Sequence, residues 1–197
     1  QITALVIITA FAWIVLAKVQ NINLSNLLGF LSLIPNVISI DVVIIVIFIK
    51  WLWKCPIFKD WLVPFPDLNG TWIGSLKSNY IDSETQQTKA PIPVMFTINQ
   101  NYSFINCVMH TGEMKSYLIS EGFNVDKDKQ IKQLSYIYTS KPRILITDRS
   151  PQHDGAIIFD IIEKPEKKLV GRYWTDRDTK GEIILTFHSK EILEELP

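Results

Sequence analysis

The sequence predicts two N-terminal transmembrane α-helices followed by an all-β, eight-stranded antiparallel up-and-down barrel. Three observations carry that expectation. Residues 1–54 hold only four ionisable side chains, Lys18, Asp41, Lys50 and Lys54. From Leu68 onward, apolar residues recur with period two and are punctuated by turn residues. No helical period separates these strand-like runs, so the alternation that builds a parallel sheet is missing.

The first apolar run, Ile2 to Lys18, carries no charge before Lys18. At ~1.5 Å per residue it reaches about 25 Å, enough for a thin bilayer. A second apolar run follows within about 20 residues, which argues for a true span rather than a cleaved export signal. The chain begins with Gln1, which leaves room for residues upstream. The second span is expected from Pro35, a residue tolerated in a first helical turn, to Trp53, about 19 residues. Between the spans, the second half of "VQNINLSNLLGFLSLIPN" either lies among headgroups or extends the second helix.

Orientation follows from the flanks. Lys50, Lys54 and Lys59 cluster after the second span, beside Trp51, Trp53 and Trp61, whereas the loop between spans offers only Lys18. The positive-inside rule then puts the C-terminal part in the cytoplasm and the short loop between the spans outside, with the membrane crossed twice. Cys55 and Cys107 stand far apart and form no disulfide pattern, as a reducing compartment favours.

Asp41 is the exception inside the second run, about 9 Å in from one face. A lone carboxylate there costs up to ~3 kcal/mol on insertion scales. Either it snorkels, or it faces other helices or a hydrated path; Ser32 and Ser39 add polar groups nearby. Two spans offer little interior in which to hide an acid, so a homo-oligomer is the favoured reading.

Three parts are thus expected: a transmembrane region over 1–54, a linker over 55–67 with three prolines, and a barrel over 68–190. Strands are expected at 70–80, 92–100, 102–110, 114–122, 131–140, 154–163, 168–175 and 181–188. Tight hairpins are read at "INQNYSF", "HTGEM", "EKPEKK" and "DRDTKGE", and "RILIT" (143–147) reads as a short extra strand or part of a longer one. Closing such a meander removes aggregation-prone edges. Eight strands leave a lumen that is filled by side chains or holds one small ligand. The tail from Ser189 is too short for a major element.

The polar part carries 17 basic and 19 acidic side chains, a formal charge of −2. That balance argues against a DNA or RNA polymer as partner, while a small anion needing a few arginines remains compatible. His110, His153 and His188 have no nucleophile at a recognised spacing. Neither CxxC nor HExxH occurs, nor a glycine-rich phosphate loop, so no metal, no cofactor and no catalysis are expected. What remains is aromatic and polar strand content. Tyr136 and Tyr138 share one strand face; Arg172 and Trp174 share another, opposite Tyr173 and Thr175, with Arg177 at the following turn. One reading buries the aromatics as core and leaves the arginines outside. The other makes a pocket in which rings stack on bases and arginine meets phosphate. Parity alone does not choose, because a one-residue slip reverses every face.

"PDLNGTWIGSL" (66–76), the two apolar runs before it and "GRYWTDRDTKGEIIL" (171–185), taken in that order, resemble the SMODS-associated two-transmembrane, β-strand-rich effectors of bacterial CBASS antiphage systems. The resemblance covers essentially the whole chain, with Leu68, Gly70 and Trp72 as its L-x-G-x-W and Tyr173 to Gly181 as its late motif. "GTW" is also similar to the Gly-x-Trp of lipocalin first strands, which gives Gly70 and Trp72 a structural role in a lipocalin-like barrel. The resemblance implies a barrel that binds a cyclic di- or trinucleotide made by a functionally linked nucleotidyltransferase. It further implies helices that assemble and disrupt the inner membrane lipid, with Asp41 in that element. The alternatives are a guard arrangement, in which a resident cyclic nucleotide restrains the effector until phage sequesters it, and a membrane-anchored lipid-binding or scaffold barrel. On the first reading Tyr136 and Tyr138 stack on a base, Arg172 or Arg177 neutralises phosphate, and Thr175 donates a hydrogen bond. Trp174 joins that pocket, and Thr97 with Asn99 reads base edges. Convergence of Arg172, Tyr136, Tyr138 and Trp174 inside the barrel would separate this from an aliphatic-lined lipid carrier.

Overall fold

The computed structural model describes residues 2–23, 25–81, 86–88 and 90–197, with side chains described for all of these except 2, 4 and 5. The chain divides into two compact units, Gln1–Pro64 with Asn101–Ser103, and Phe65–Gln100 with Phe104–Pro197.

In the first unit, α1 spans Ile2–Val19, α2 Leu27–Ser32 and α3 Ile34–Lys50. Asn26 caps α2 by accepting from the Leu28 N–H at 3.1 Å, and Pro35 sits in the first turn of α3. Leu33 alone separates α2 from α3, so the second half of the inter-span segment extends the second helix rather than lying apart from it. The resulting run, Leu27–Lys50, is 24 residues, with a mean hydropathy of 2.5 over its most apolar 18, and is long and apolar enough to cross a membrane. Among the described residues of α1 the apolar stretch Val6–Val19 is shorter, so one helix of full spanning length stands with a second, shorter apolar one. Ala12 and Ala17 let α1 come close to Leu33 and Val37, and Trp13 stacks on Phe30 at 3.8 Å. Asp41 finds a partner in its own chain. Its Oδ2 accepts from the Thr9 hydroxyl at 2.8 Å, while Oδ1 is shut away without a partner among the described residues.

In the second unit the eight strands are β1 Gly70–Ser78, β2 Ile92–Gln100, β3 Ile105–Thr111, β4 Met114–Asp126, β5 Ile131–Pro142, β6 His153–Ile162, β7 Lys168–Thr175 and β8 Lys180–Ser189. Each pairs antiparallel with the next, and β1 pairs with β8 to close the barrel. All four expected hairpins form. The segment 143–147 does not form a strand: Ile144–Ile146 is a 3-10 turn, with Ile144 and Leu145 91 % and 99 % exposed. The Pro142 nitrogen carries no hydrogen to extend the ladder, and the chain leaves the sheet there.

The inward face is a packed core. Trp72, Phe96, Tyr136 and Phe159 fill the middle, surrounded by Ile98, Leu134, Ile157, Leu169, Ile183 and Leu185. Such a cross-section holds large rings only where small residues face them. A Cβ on Gly171 would come within 2.7 Å of Ile183 and 2.8 Å of Phe159, and one on Gly74 would strike the Ile184 carbonyl.

The Gly70 end of the barrel is sealed by the incoming chain. Trp72 donates from Nε1 to the Leu68 carbonyl at 2.9 Å and meets Phe187 edge-on. Buried Gln100 accepts from the Leu68 N–H at 2.8 Å and donates to the Pro66 carbonyl at 3.1 Å. Its backbone exchanges two further bonds with the Asn69 amide. Phe65 stacks on Phe123 at 5.1 Å, beside the part of β4 that follows an irregularity at Leu118/Ser120. From Ser189 the tail folds back: the Thr71 hydroxyl donates to the Glu191 carbonyl and accepts from the Leu193 N–H.

Replacing Gln100 with Ala strands the buried Leu68 N–H and is expected to destabilise the barrel by about 1–3 kcal/mol. Thermal denaturation then shows a midpoint several degrees lower; an unchanged midpoint contradicts the clamp.

Candidate functional site

The opposite end of the barrel, where β1, β3, β5 and β7 finish, carries a different inner lining. Alternation along β5 turns Leu134, Tyr136, Tyr138 and Ser140 inward; along β6 it turns His153 and Gly155; along β7, Gly171, Tyr173 and Thr175. Polar groups therefore gather just above the aromatic core. The Ser116 hydroxyl donates to the Ser140 hydroxyl at 3.0 Å, and the Tyr136 hydroxyl donates to the Ser116 carbonyl at 3.2 Å. Tyr136 and Tyr138 stack at 5.2 Å with planes 21° apart, and His153 stands edge-on to Tyr138 at 6.5 Å.

Glycines make room for these rings. Tyr138 pairs across the sheet with Gly155, and Tyr173 with Gly181. A Cβ on Gly155 would lie 2.5 Å from the Tyr138 hydroxyl, and one on Gly181 would lie 2.7 Å from the Tyr173 ring. The two tyrosines thus lie flat against bare backbone at this end, each filling the space above a glycine.

Arg177, in the β7–β8 turn, reaches across the same end. Its Nη1 donates to the Ser150 hydroxyl at 3.2 Å and to the Pro151 carbonyl at 3.4 Å, tying the turn to the segment before β6. Thr175 and Thr179 share a hydroxyl hydrogen bond of 2.7 Å at the base of the turn. Burial pushes the Tyr136, Tyr138 and Tyr173 phenols above their usual range; for Tyr138 the neighbouring Tyr173 adds to this and Arg177 opposes it. All three are therefore neutral donors. His153 is shifted down, by burial first and by the Arg177 guanidinium second. Its Nδ1 lies 3.4 Å from the Pro151 carbonyl, which only accepts, so Nδ1 holds the proton and Nε2 is the acceptor. The end of the barrel thus presents hydroxyl donors, an imidazole acceptor, ring faces and one guanidinium, a set suited to a planar heterocycle joined to an anionic group.

The residues singled out from the sequence fall into two groups. Tyr136, Tyr138, Thr175 and Arg177 belong to this end. Arg172 and Trp174 do not join them: they point out from β7, with Trp174 48 % exposed. The four residues whose convergence was the deciding sign therefore split, two inside and two outside, because Tyr173 rather than Trp174 has the inward parity. Thr97 and Asn99 also lie on the outer face. Thr97 is buried and its hydroxyl donates to the Val108 carbonyl at 3.3 Å, whereas Asn99 is exposed. Sequence reasoning missed Tyr173, His153, Ser116 and Ser140 as members of the lining. Tyr173 shares its parity with Thr175, which was a usable signal. The two serines had none, since they meet only through the Ser116–Ser140 register of β4 with β5.

The family model for the Cap15 cyclic dinucleotide receptor domain matches residues 63–186. A CD-NTase-associated protein 15 from Staphylococcus schleiferi is 23 % identical over 158 residues, covering 80 % of this chain and 80 % of that protein.

His153 supplies a test that needs no ligand. Its folded-state pKa lies below its usual 6.5, so its contribution to stability is complete above that value and is lost as pH falls through it. Denaturation of the barrel is expected to show stability falling as pH drops below about 6.5, with His153→Gln flattening part of the slope. His110, also shifted down, accounts for another part. An identical slope in the variant overturns the assignment of a buried neutral His153.

Proposed function

The chain belongs to the Cap15 cyclic dinucleotide receptor domain family, and from that premise we propose that its barrel receives a cyclic dinucleotide at the Tyr138 end. The observation that carries the reading is the joining of stacked Tyr136 and Tyr138, the His153 acceptor and the Arg177 guanidinium at one end of an otherwise packed core. A base stacks on Tyr138, which Tyr136 backs from the core, His153 Nε2 and the serine hydroxyls meet its edge, and Arg177 leaves its two neutral oxygen partners for a phosphodiester. Exchanging neutral acceptors for an anionic one favours that swap. Arg172, Trp174, Thr97 and Asn99 take no part in this version of the site. Residues 79–91, which join β1 to β2 at the same end, include positions outside those described.

The receptor acts in CBASS-type antiphage defence beside a nucleotidyltransferase that makes the ligand. In this proposal the apolar N-terminal helices cross the bacterial inner membrane twice with the barrel in the cytoplasm, and ligand binding drives homo-oligomers that breach the bilayer. Asp41 supports that step. Thr9 satisfies one carboxylate oxygen within the chain, while the other is left for a donor from a neighbouring copy or for a hydrated path.

Thermal shift of the barrel against a panel of cyclic di- and trinucleotides tests the receptor. A ligand at ~100 times its Kd adds about 2.7 kcal/mol, a rise of several degrees. Arg177→Ala is expected to weaken binding by roughly tenfold or more, the worth of a charged hydrogen bond, while Arg172→Ala leaves it unchanged. A flat panel from folded protein overturns the receptor reading; the reverse order of the two arginines overturns the site.

For the helices, Asp41→Leu expressed at the parent level is expected to abolish ligand-dependent dye entry into cells. Dye entry at the parent rate would remove Asp41 from the mechanism.

A further inference from the structure

On the outer wall of the barrel, pairing of β3, β4 and β5 sets three basic side chains in one row. His110 lies opposite Lys115, and Lys115 lies opposite Lys141. Like charges directly opposed on a sheet destabilise it. Neither lysine has an ion-pair partner among the described residues, and the nearby Glu113 is engaged by Arg149. Both ammonium groups lean over the same ring, Tyr117, at 5.6 and 5.8 Å. That arrangement eases the repulsion and leaves both charges outward. Burial, and then the Lys115 charge, hold His110 below its usual range, so the row carries the two lysine charges at neutral pH.

The chain then leaves the sheet through Pro142 and Arg143 and presents Ile144 and Leu145, 91 % and 99 % exposed. The turn is held in place: the Arg143 N–H donates to the Glu113 carbonyl at 3.0 Å, the Ser150 N–H to the Ile146 carbonyl at 2.8 Å, and Arg149 pairs with Glu113. Lys141 is three residues from Ile144, at most ~10 Å along the chain. A fixed apolar tip, a half-exposed tyrosine and two uncompensated lysines thus occupy one corner.

We propose that this corner docks on an anionic phospholipid surface. Lys115, Lys141 and Arg143 meet headgroup phosphates, Tyr117 sits at the interfacial level, and Ile144 with Leu145 enters the acyl boundary. Charge complementarity selects this occupant. A neutral protein groove would accept the apolar tip but leave the opposed lysines uncompensated, whereas a free anion would use the lysines and leave the tip in water. Lys115, Tyr117 and Lys141 stand on the outer face of the sheet, and the inference does not rest on the cyclic dinucleotide assignment.

The test uses the barrel alone, residues 65–197, a closed sheet with its own core. It is floated with phosphatidylcholine vesicles, with and without phosphatidylglycerol. Partitioning is expected only with phosphatidylglycerol, and is expected to weaken between about 0.1 and 0.5 M salt. Lys115→Glu with Lys141→Glu should lower the partition coefficient roughly 20-fold or more. Ile144→Ser with Leu145→Ser should lower it about 10-fold or more while keeping the salt dependence. All four positions are exposed, and an unchanged melting midpoint confirms folding in each variant. Equal partitioning on both vesicle types, or parent-like flotation of either double variant, overturns the proposal. So does release by inorganic phosphate with no contribution from the apolar pair, which would mark a simple anion site, or a change in self-association in place of vesicle binding.

Discussion

Pairing of β1 with β8 turns a meander into a ring, and that closure limits what every inward position holds. In an open sheet a large ring can spread sideways; in a closed ring of eight strands its neighbours must be small. Tyr138 lies over Gly155, Tyr173 over Gly181, and Phe159 beside Gly171 for this reason. Trp72, Phe96, Tyr136 and Phe159 consume the centre, so the lumen is filled through its middle.

The two ends then diverge because of what each chain crossing supplies. At the Gly70 end, the entering segment brings Leu68 and Pro66, whose backbone groups need partners once buried, and Gln100 provides them. That end is sealed by apolar packing and amide bonds. At the other end the inner positions are Ser116, Ser140, His153 and Thr175, and their polar atoms answer one another sparingly. Among the described residues Arg177 binds only neutral oxygens there. A guanidinium with neutral partners keeps most of its charge on offer.

The outer wall obeys a looser rule, since solvent accepts any side chain. Departures from indifference are therefore informative. Arg172 and Trp174 stand outward opposite Glu182 and Lys180, whereas Lys115 and Lys141 are forced opposite one another and share a single ring. In the helical unit the departure is Asp41, which the sequence presents as an acid without a home. Thr9, 32 positions away, supplies half of one.

Strand content, hairpins and closure were legible from Leu68 onward because period two and turn residues are local properties of the chain. The apolar helices were legible for the same reason, although the join of Leu27–Ser32 to the second helix was left open. The misreading of 143–147 shows the limit: "RILIT" has strand composition, yet Pro142 ends the ladder before it. For the site, local pattern identified which residues share a face and stopped there. That Tyr136 and Tyr138 look inward while Arg172 and Trp174 look outward was decided by register, which one residue of slip inverts. That Ser116 meets Ser140, that His153 and Arg177 share the Pro151 carbonyl, and that Thr9 meets Asp41 was decided by contacts between distant segments. Sequence by itself determined the elements, because backbone periodicity needs only neighbours; tertiary structure alone decided the site, because a lumen exists only after the last strand has closed on the first.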